Sequence, residues 1–227
     1  MKLLMALFIL ITTIANAASL QVSPVYVESS NGIDKITLTN SGDKPIFAQV
    51  RVFDWAVKQD ADLLTPTQSV LASPPIIKIA PQGKQVVRIM RVGKAPLMAE
   101  ETYRLLVDEL SDDPVIISGV SVKLRYSIPV FITPASAAAA DVHTKARIEG
   151  DQLVLDLDNS GGRYARIGRV LLRSPDGQTQ AVSAGLLGYV MAKSGRRWFC
   201  PIPALASKQP FSQVQLDVNG QAVVVDF

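Results

Sequence analysis

The stretch Gly119-Val120-Ser121-Val122-Lys123-Leu124-Arg125-Tyr126-Ser127-Ile128-Pro129-Val130 alternates apolar and polar residues with period two. Alternation of that length specifies a β-strand with two different faces. One face carries Val120, Val122, Leu124, Tyr126 and Ile128. The other carries Ser121, Lys123, Arg125 and Ser127. A cation inside so regular a strand must reach solvent or meet an anion, because burying it unpaired is costly.

Shorter strand signals surround it. Leu20–Val22 and Val25–Val27 open the chain. Ile36–Thr39 leads through the turn residues Asn40-Ser41-Gly42-Asp43 into Ile46–Val52. Ile76–Ile79, Gln85–Val92 and Thr102–Leu110 follow, and Ala95–Glu101 is read as one helical turn. Short strands punctuated at this spacing predict β-sandwich architecture. The pattern breaks at Thr133-Pro134-Ala135-Ser136-Ala137-Ala138-Ala139-Ala140, and a second strand series begins directly after it. In that series Leu153–Asp158, Asn159-Ser160-Gly161-Gly162 and Ala165–Leu172 echo the strand, turn and strand around residue 40. Asn-Ser-Gly is ordinary turn chemistry, so the echo supports two domains of similar kind without establishing a duplication. The expected division is 1–17 leader, 18–133 first domain, 134–141 linker and 142–227 second domain.

The leader assignment rests on Lys2, an apolar run from Leu3 to Ile14 and the small-x-small signal Ala15-Asn16-Ala17. The run is short for a membrane span, so export with cleavage after Ala17 is expected. About 210 residues remain, enough for two ordinary domains. The formal charge of +3 for the whole chain does not indicate a nucleic-acid partner. Cys200 is the only cysteine, so no intrachain disulfide can form.

Catalytic chemistry finds no foothold. His143 is the only histidine and reads as an exposed loop residue. Cys200, beside Trp198 and Phe199, reads as a buried structural thiol rather than a nucleophile. Asp112, Asp113, Asp156 and Asp158 read as solvated carboxylates at turns or on polar strand faces. There is no zinc constellation, phosphate loop or dinucleotide fingerprint. No catalytic, metal or cofactor site is expected, and no nucleotide. The bare sequence therefore describes a non-enzymatic binding protein or, alternatively, a secreted structural or adhesive β-sandwich.

Three motifs sharpen this reading. They are Ser73-Pro74-Pro75-Ile76-Ile77-Lys78-Ile79-Ala80-Pro81, then Gln85-Val86-Val87-Arg88-Ile89, then Glu101-Thr102-Tyr103-Arg104-Leu105 followed by Val122-Lys123-Leu124-Arg125-Tyr126. In this order, behind a leader, they resemble the PapD-like periplasmic chaperones of chaperone–usher pilus assembly, and most of all the archaic branch. The resemblance implies an all-β protein of two immunoglobulin-like sandwiches set at an angle around a cleft. It implies pilin-like subunits and an outer-membrane usher as partners, and a periplasmic location. It also implies donor-strand complementation, a form of β-augmentation, in which the last first-domain strand fills a gap in an incomplete subunit. Donor residues are then expected among Val115, Ile116, Ile117, Val120 and Val122. Val115 and Ile117 share the parity of Lys123, whereas Ile116, Val120 and Val122 share the other, and the sequence leaves open which set faces the subunit. The resemblance places Lys123 as the anchor of the subunit's C-terminal carboxylate. The arginine that many members carry on the first strand is absent from Gln21–Val25, so Arg88 is its expected substitute, with Arg125 and Arg104 behind it. Ser127 stands where many members have an arginine that joins the domains.

Overall fold

The structure, a computed structural model, describes residues 20–93, 95–110, 123–202 and 211–227. The expected leader, the donor positions Val115, Ile116, Ile117, Val120 and Val122, and the acids Asp112 and Asp113 lie outside the described residues.

The first half of the chain forms β1 (Leu20–Ser23), β2 (Val27–Ser29), β3 (Ile33–Asn40), β4 (Ile46–Lys58), β5 (Ala61–Pro66), β6 (Val70–Ser73), β7 (Ile76–Ile79), β8 (Lys84–Arg91), β9 (Glu101–Leu110) and β10 (Arg125–Ile132). One sheet has the order β1-β3-β8-β6. The other has the order β2-β10-β9-β4-β5, with β7 also paired to β4. The opening segment serves both sheets. Its first piece pairs antiparallel with β3, the chain crosses over at Pro24, and β2 pairs parallel with β10 from Val130 to Ile132.

The core between these sheets follows from the alternation. Ile36 and Leu38 of β3, Val87 and Ile89 of β8, Leu105 and Val107 of β9, and Ile128, Val130 and Ile132 of β10 are all buried together. Each such aliphatic contributes about 1.5–3 kcal/mol over an exposed position. Leu124 and Tyr126 pack against the same core, so the apolar face read from the signature strand is the inward one wherever it is described. Tyr126 also donates its hydroxyl to the Leu20 carbonyl at 2.5 Å, tying β10 across the seam to the opposite sheet.

The second half forms β11 (Val142–Glu149), β12 (Gln152–Asn159), β13 (Ala165–Arg173), β14 (Thr179–Ser183), β15 (Gly188–Val190), β16 (Ser194–Pro201), β17 (Gln213–Val218) and β18 (Gln221–Asp226). Its sheets have the orders β11-β12-β16 and β14-β13-β17-β18, with β15 on β13. A separate core of Leu153, Leu155, Leu157, Ile167, Val170, Leu172 and Leu216 lies between them. Cys200 is buried in that core, and desolvation raises its thiol pKa.

Two turn motifs do the same work in the two sandwiches. Asn40 is fully buried and donates its amide to the carbonyls of Lys44 (2.7 Å), Ile79 (3.2 Å) and Ala80 (3.1 Å), while its Oδ1 accepts from the Gly42 N–H. Asn159 donates to Arg163 (2.7 Å) and Met191 (3.1 Å), and its Oδ1 accepts from Gly161 and Asp141, both at 3.0 Å. Each side chain thus closes its own turn and pins a distant strand end. The Asn-Ser-Gly echo is a shared structural device.

Three expectations need correction. Residues 95–100 carry no helical turn and lead directly into β9, because Pro96 and the exposed Met98 offer no helical face. The strand expected over Val25–Val27 lies instead at Val27–Ser29, since Val25 and Tyr26 span the crossover and stay exposed. His143 sits on β11 rather than in a loop; it is exposed, with Asp141 at 3.5 Å.

Candidate functional site

β10 is the natural starting point because it is only half covered. β9 pairs with it along its whole length, whereas β2 covers its other edge only from Val130 to Ile132. Among the described residues nothing pairs with that edge from Arg125 to Pro129. A free edge presents unpaired N–H and C=O groups and is a template for another strand.

The outward face of the β10-β9-β4 sheet forms a wall. Strand register sets Arg125, Asp108 and Gln49 in one row and Ser127, Leu106 and Arg51 in the next. Pro129, Arg104 and Phe53 follow, and beyond them Phe131 pairs with Thr102, whose hydroxyl donates to the Trp55 carbonyl at 2.6 Å. The last rows meet the second domain, so this wall is one side of the cleft between the domains. Arg104, Ser127 and Pro129 line a recess there together with Leu187, Tyr189 and Arg196 of the second domain.

At the open end of the wall, Lys123 and Arg125 share a shallow pocket with Gln49, Arg51, Asp108 and Leu124. Asp108 is 8% exposed and accepts from Arg51 at 2.6 Å and from Arg125. Burial alone would push its carboxyl up. The two guanidinium hydrogen bonds outweigh that and hold it below the usual carboxylate range. Lys123 is exposed and makes no ion pair among the described residues. Three cations, Arg51, Lys123 and Arg125, against two acids, Asp108 and Glu109, leave one net positive charge in this pocket, which suits an anion.

Arg88 does not join this group. It lies on the outer face of the opposite sheet, level with Lys35 and Ser73. The structure brings Lys123 and Arg125 together and adds Arg51 and Asp108, which the sequence reading passed over. Arg51 follows Gln49 on the outward parity of β4, and Asp108 stands on β9 beside a run of apolar residues, Leu105 to Val107. Both were visible as strand-face charges, but their adjacency depends on register.

Near the hinge, Trp55, Phe131, Tyr189 and Met191 form one buried cluster joining the domains. Phe131 stacks on Tyr164, with centroids 3.6 Å apart and an interplanar angle of 12°. Arg104 lies 3.6 Å above the Trp55 ring and is paired to Asp62 at 3.5 Å. Burial lowers its pKa, partly offset by Asp62. Glu100 accepts from Thr133 at 2.8 Å, and desolvation raises its pKa, opposed by the Thr133 hydroxyl and the Tyr164 backbone N–H.

Comparison with known proteins agrees with this geometry. Residues 18–138 match the model of the pili and flagellar-assembly chaperone, PapD N-terminal domain, family. Over 174 residues the chain is 26% identical to the uncharacterized fimbrial chaperone YhcA of Escherichia coli K12, covering 75% of this chain and 74% of that protein. The fold is similar to that in the CsuC–CsuE chaperone–tip adhesion subunit complex of the archaic Csu pili of Acinetobacter baumannii (TM-score 0.67, 23% identity, covering 92% of this chain and 98% of that one). It is also similar to that of the SafB chaperone–SafA pilin complex of Salmonella enterica (TM-score 0.65, 14% identity, 94% and 98%) and the E. coli chaperone DraB (TM-score 0.60, 17% identity, 92% and 98%). Two β-sandwiches, a half-open edge strand and a family match over the first of them lead to one conclusion: this chain belongs to the PapD family of pilus-assembly chaperones, a family of binding proteins and not of enzymes.

Proposed function

We propose that this protein binds pilus subunits in the periplasm along the free edge of β10 and passes them to an outer-membrane usher. The observation that carries the reading is that edge. From Arg125 to Pro129 one parity is spent on the protein's own core, while the other faces the cleft and the backbone is open to a partner. The likeness to chaperones solved with pilin and adhesin subunits supports the same mode. The likeness to the Csu complex also favours the archaic branch.

In this reading a subunit strand adds to the edge, and the side chains that fill the subunit's open core come from one parity of the candidates Val115, Ile116, Ile117, Val120 and Val122, upstream in the sequence. Continuing the parity of β10 assigns Val115 and Ile117 to the subunit, and Val120 and Val122 to the chaperone's interior. Lys123 is the anchor for the subunit's C-terminal carboxylate. Arg51 and Arg125 support it, in the place first considered for Arg88. A charge-assisted hydrogen bond of this kind contributes roughly 1.5–3 kcal/mol.

The test is co-expression with a candidate pilus subunit. Lys123→Ala should abolish subunit recovery while the free chaperone keeps its β-sheet circular dichroism and melting temperature. Arg88→Ala, on the opposite sheet, should leave recovery unchanged. Normal yield with Lys123→Ala, or loss with Arg88→Ala alone, overturns the anchor.

A further inference from the structure

β4 is long for what it does in the sandwich. β9 pairs with it only as far as Asp54. Among the described residues its strand partner from Trp55 to Lys58 is β5 alone, in a ribbon closed by the two-residue turn Gln59-Asp60. Both turn residues have positive φ, 50° and 62°, the geometry of a tight hairpin turn. β5 contributes no buried side chain, and Leu63 is 46% exposed. A two-stranded ribbon without a core of its own is marginal in water, so this one needs support from elsewhere.

It finds that support on the second domain. The Asp60 Oδ1 accepts the backbone N–H of Arg197 at 2.8 Å, on the outer edge of β16. Asp62 sits between two guanidiniums, Arg196 of the second domain at 3.0 Å and Arg104 of the first at 3.5 Å. Both arginine side chains are only 13% exposed. Arg104 is held flat on Trp55, at the root of the same ribbon. Without Asp62, two half-desolvated cations would face each other across the domain boundary.

The location matters as much as the strength. Most other attachments gather around the end of β10: the segment 133–141, the rings of Tyr164 and Tyr189 on Phe131, and the contacts of Glu28 on the neighbouring β2 with Tyr164 and Arg163, with the Trp55–Tyr189 edge contact beside them at the root of the ribbon. Attachments gathered at one place leave rotation about it unopposed. The ribbon touches β16, on the other side of the recess, and so provides a second fixed point. We propose that the β4–β5 ribbon is a strut that sets the angle of the cleft, with Asp62 as its positioning residue and Asp60 as its tip contact. The inference rests on the reading of the cleft as the subunit site only for its effect on binding. The strut itself is a property of the free protein.

Spin labels on cysteines placed at Lys84 and Asp176, both exposed and one on each domain, report the interdomain distance, since native Cys200 is buried. Three variants are compared. Asp62→Asn keeps the shape and removes the charge. Asp62→Glu keeps the charge. Asp60→Gly keeps the left-handed turn and removes the acceptor. The expected result is a broadened distance distribution for Asp62→Asn and Asp60→Gly, restoration with Asp62→Glu, and an unchanged melting temperature of the first domain. If the competent angle is then populated about one-tenth of the time, apparent subunit affinity falls about tenfold. Unchanged distributions in both Asp62→Asn and Asp60→Gly overturn the strut. A broadened distribution with undiminished subunit affinity overturns the positioning role. If the unaltered protein binds no subunit, the functional reading fails and the distance measurement alone decides the strut.

Discussion

Replacing Asn159 by alanine removes both halves of a bond set that joins the turn, the segment before β11 and the end of β15. The side chain is 1% exposed. Its bonds to the Met191 carbonyl and the Gly161 N–H are fully buried, while those to the Arg163 carbonyl and the Asp141 N–H are partly so. A buried partner left unsatisfied costs about 1–3 kcal/mol, and one that water can reach costs about 0.5–1.5 kcal/mol. The expected loss is therefore about 3–9 kcal/mol, comparable to the whole stability of a small domain. At about 4–8 °C per kcal/mol for a domain of this size, the second sandwich should melt at least about 12 °C lower. Asn159→Asp gives a sharper test. It keeps the acceptor but turns the donor into a second oxygen aimed at the Arg163 and Met191 carbonyls. Those carbonyls favour the protonated acid, so its folded pKa is raised above its unfolded value. The stability it lends is then present at low pH and lost as pH rises through the folded pKa. Denaturant unfolding at neutral and acid pH, with hydrogen exchange to separate the two sandwiches, measures both effects. A loss below about 1.5 kcal/mol for Asn159→Ala, or an Asn159→Asp variant indifferent to pH, would refute the reasoning that a buried amide acts here as a hub.

Glu100 offers a second pH test. Burial raises its folded pKa, with Thr133 only partly opposing, so its ionisation weakens the fold. That penalty is absent below the ordinary glutamate range and sets in as pH rises through the raised pKa. Glu100→Gln should therefore raise the melting temperature at pH 7 and leave it unchanged at pH 4; an equal shift at both counts against the assignment. Gly161→Ala should destabilise the second domain by about 3 kcal/mol or more in a thermal melt, because a Cβ there would stand 2.2 Å from the Ala139 carbonyl oxygen and 2.6 Å from the Ala140 Cα. A folded variant with an unshifted melt would show that the backbone on both sides can yield.

The strand series was readable because period-two alternation reports burial directly. β7 falls on the expected Ile76–Ile79, and β12 and β13 differ from expectation by a residue at their ends. The ribbon beyond Val52 was not readable. Past Asp54 the strand still alternates, Trp55 and Val57 inward and Ala56 and Lys58 exposed, but its inward side packs on the cluster shared with the second domain and not on the core between the first-domain sheets. Its burial depends on a domain more than a hundred residues away. The candidate site divides in the same way. Lys123 and Arg125 stand out because they interrupt a regular strand, and their side of it could be read from parity. Arg88 interrupts an equally regular strand, but which of two facing sheets a strand joins is decided by topology. Local alternation is blind to that choice, so neither the adjacency of Arg51 and Asp108 to Lys123 nor the place of Arg88 on the opposite sheet could be read from it.

The parallel pairing of β2 with β10 has one further consequence. Because β2 occupies the edge from Val130 onward, a strand laid along β10 has a terminus it cannot pass. Pro129, the last position before that stop, has no N–H to offer a newcomer. The edge therefore works as a ruler with a fixed zero. The residue that comes to rest against β2 sets the register of every side chain behind it, and a slip of one position would turn the whole row to the wrong face. Moving the start of β2, by a deletion or insertion around Val25 and Tyr26, would move that zero point and with it the pairing frame of any strand the protein accepts.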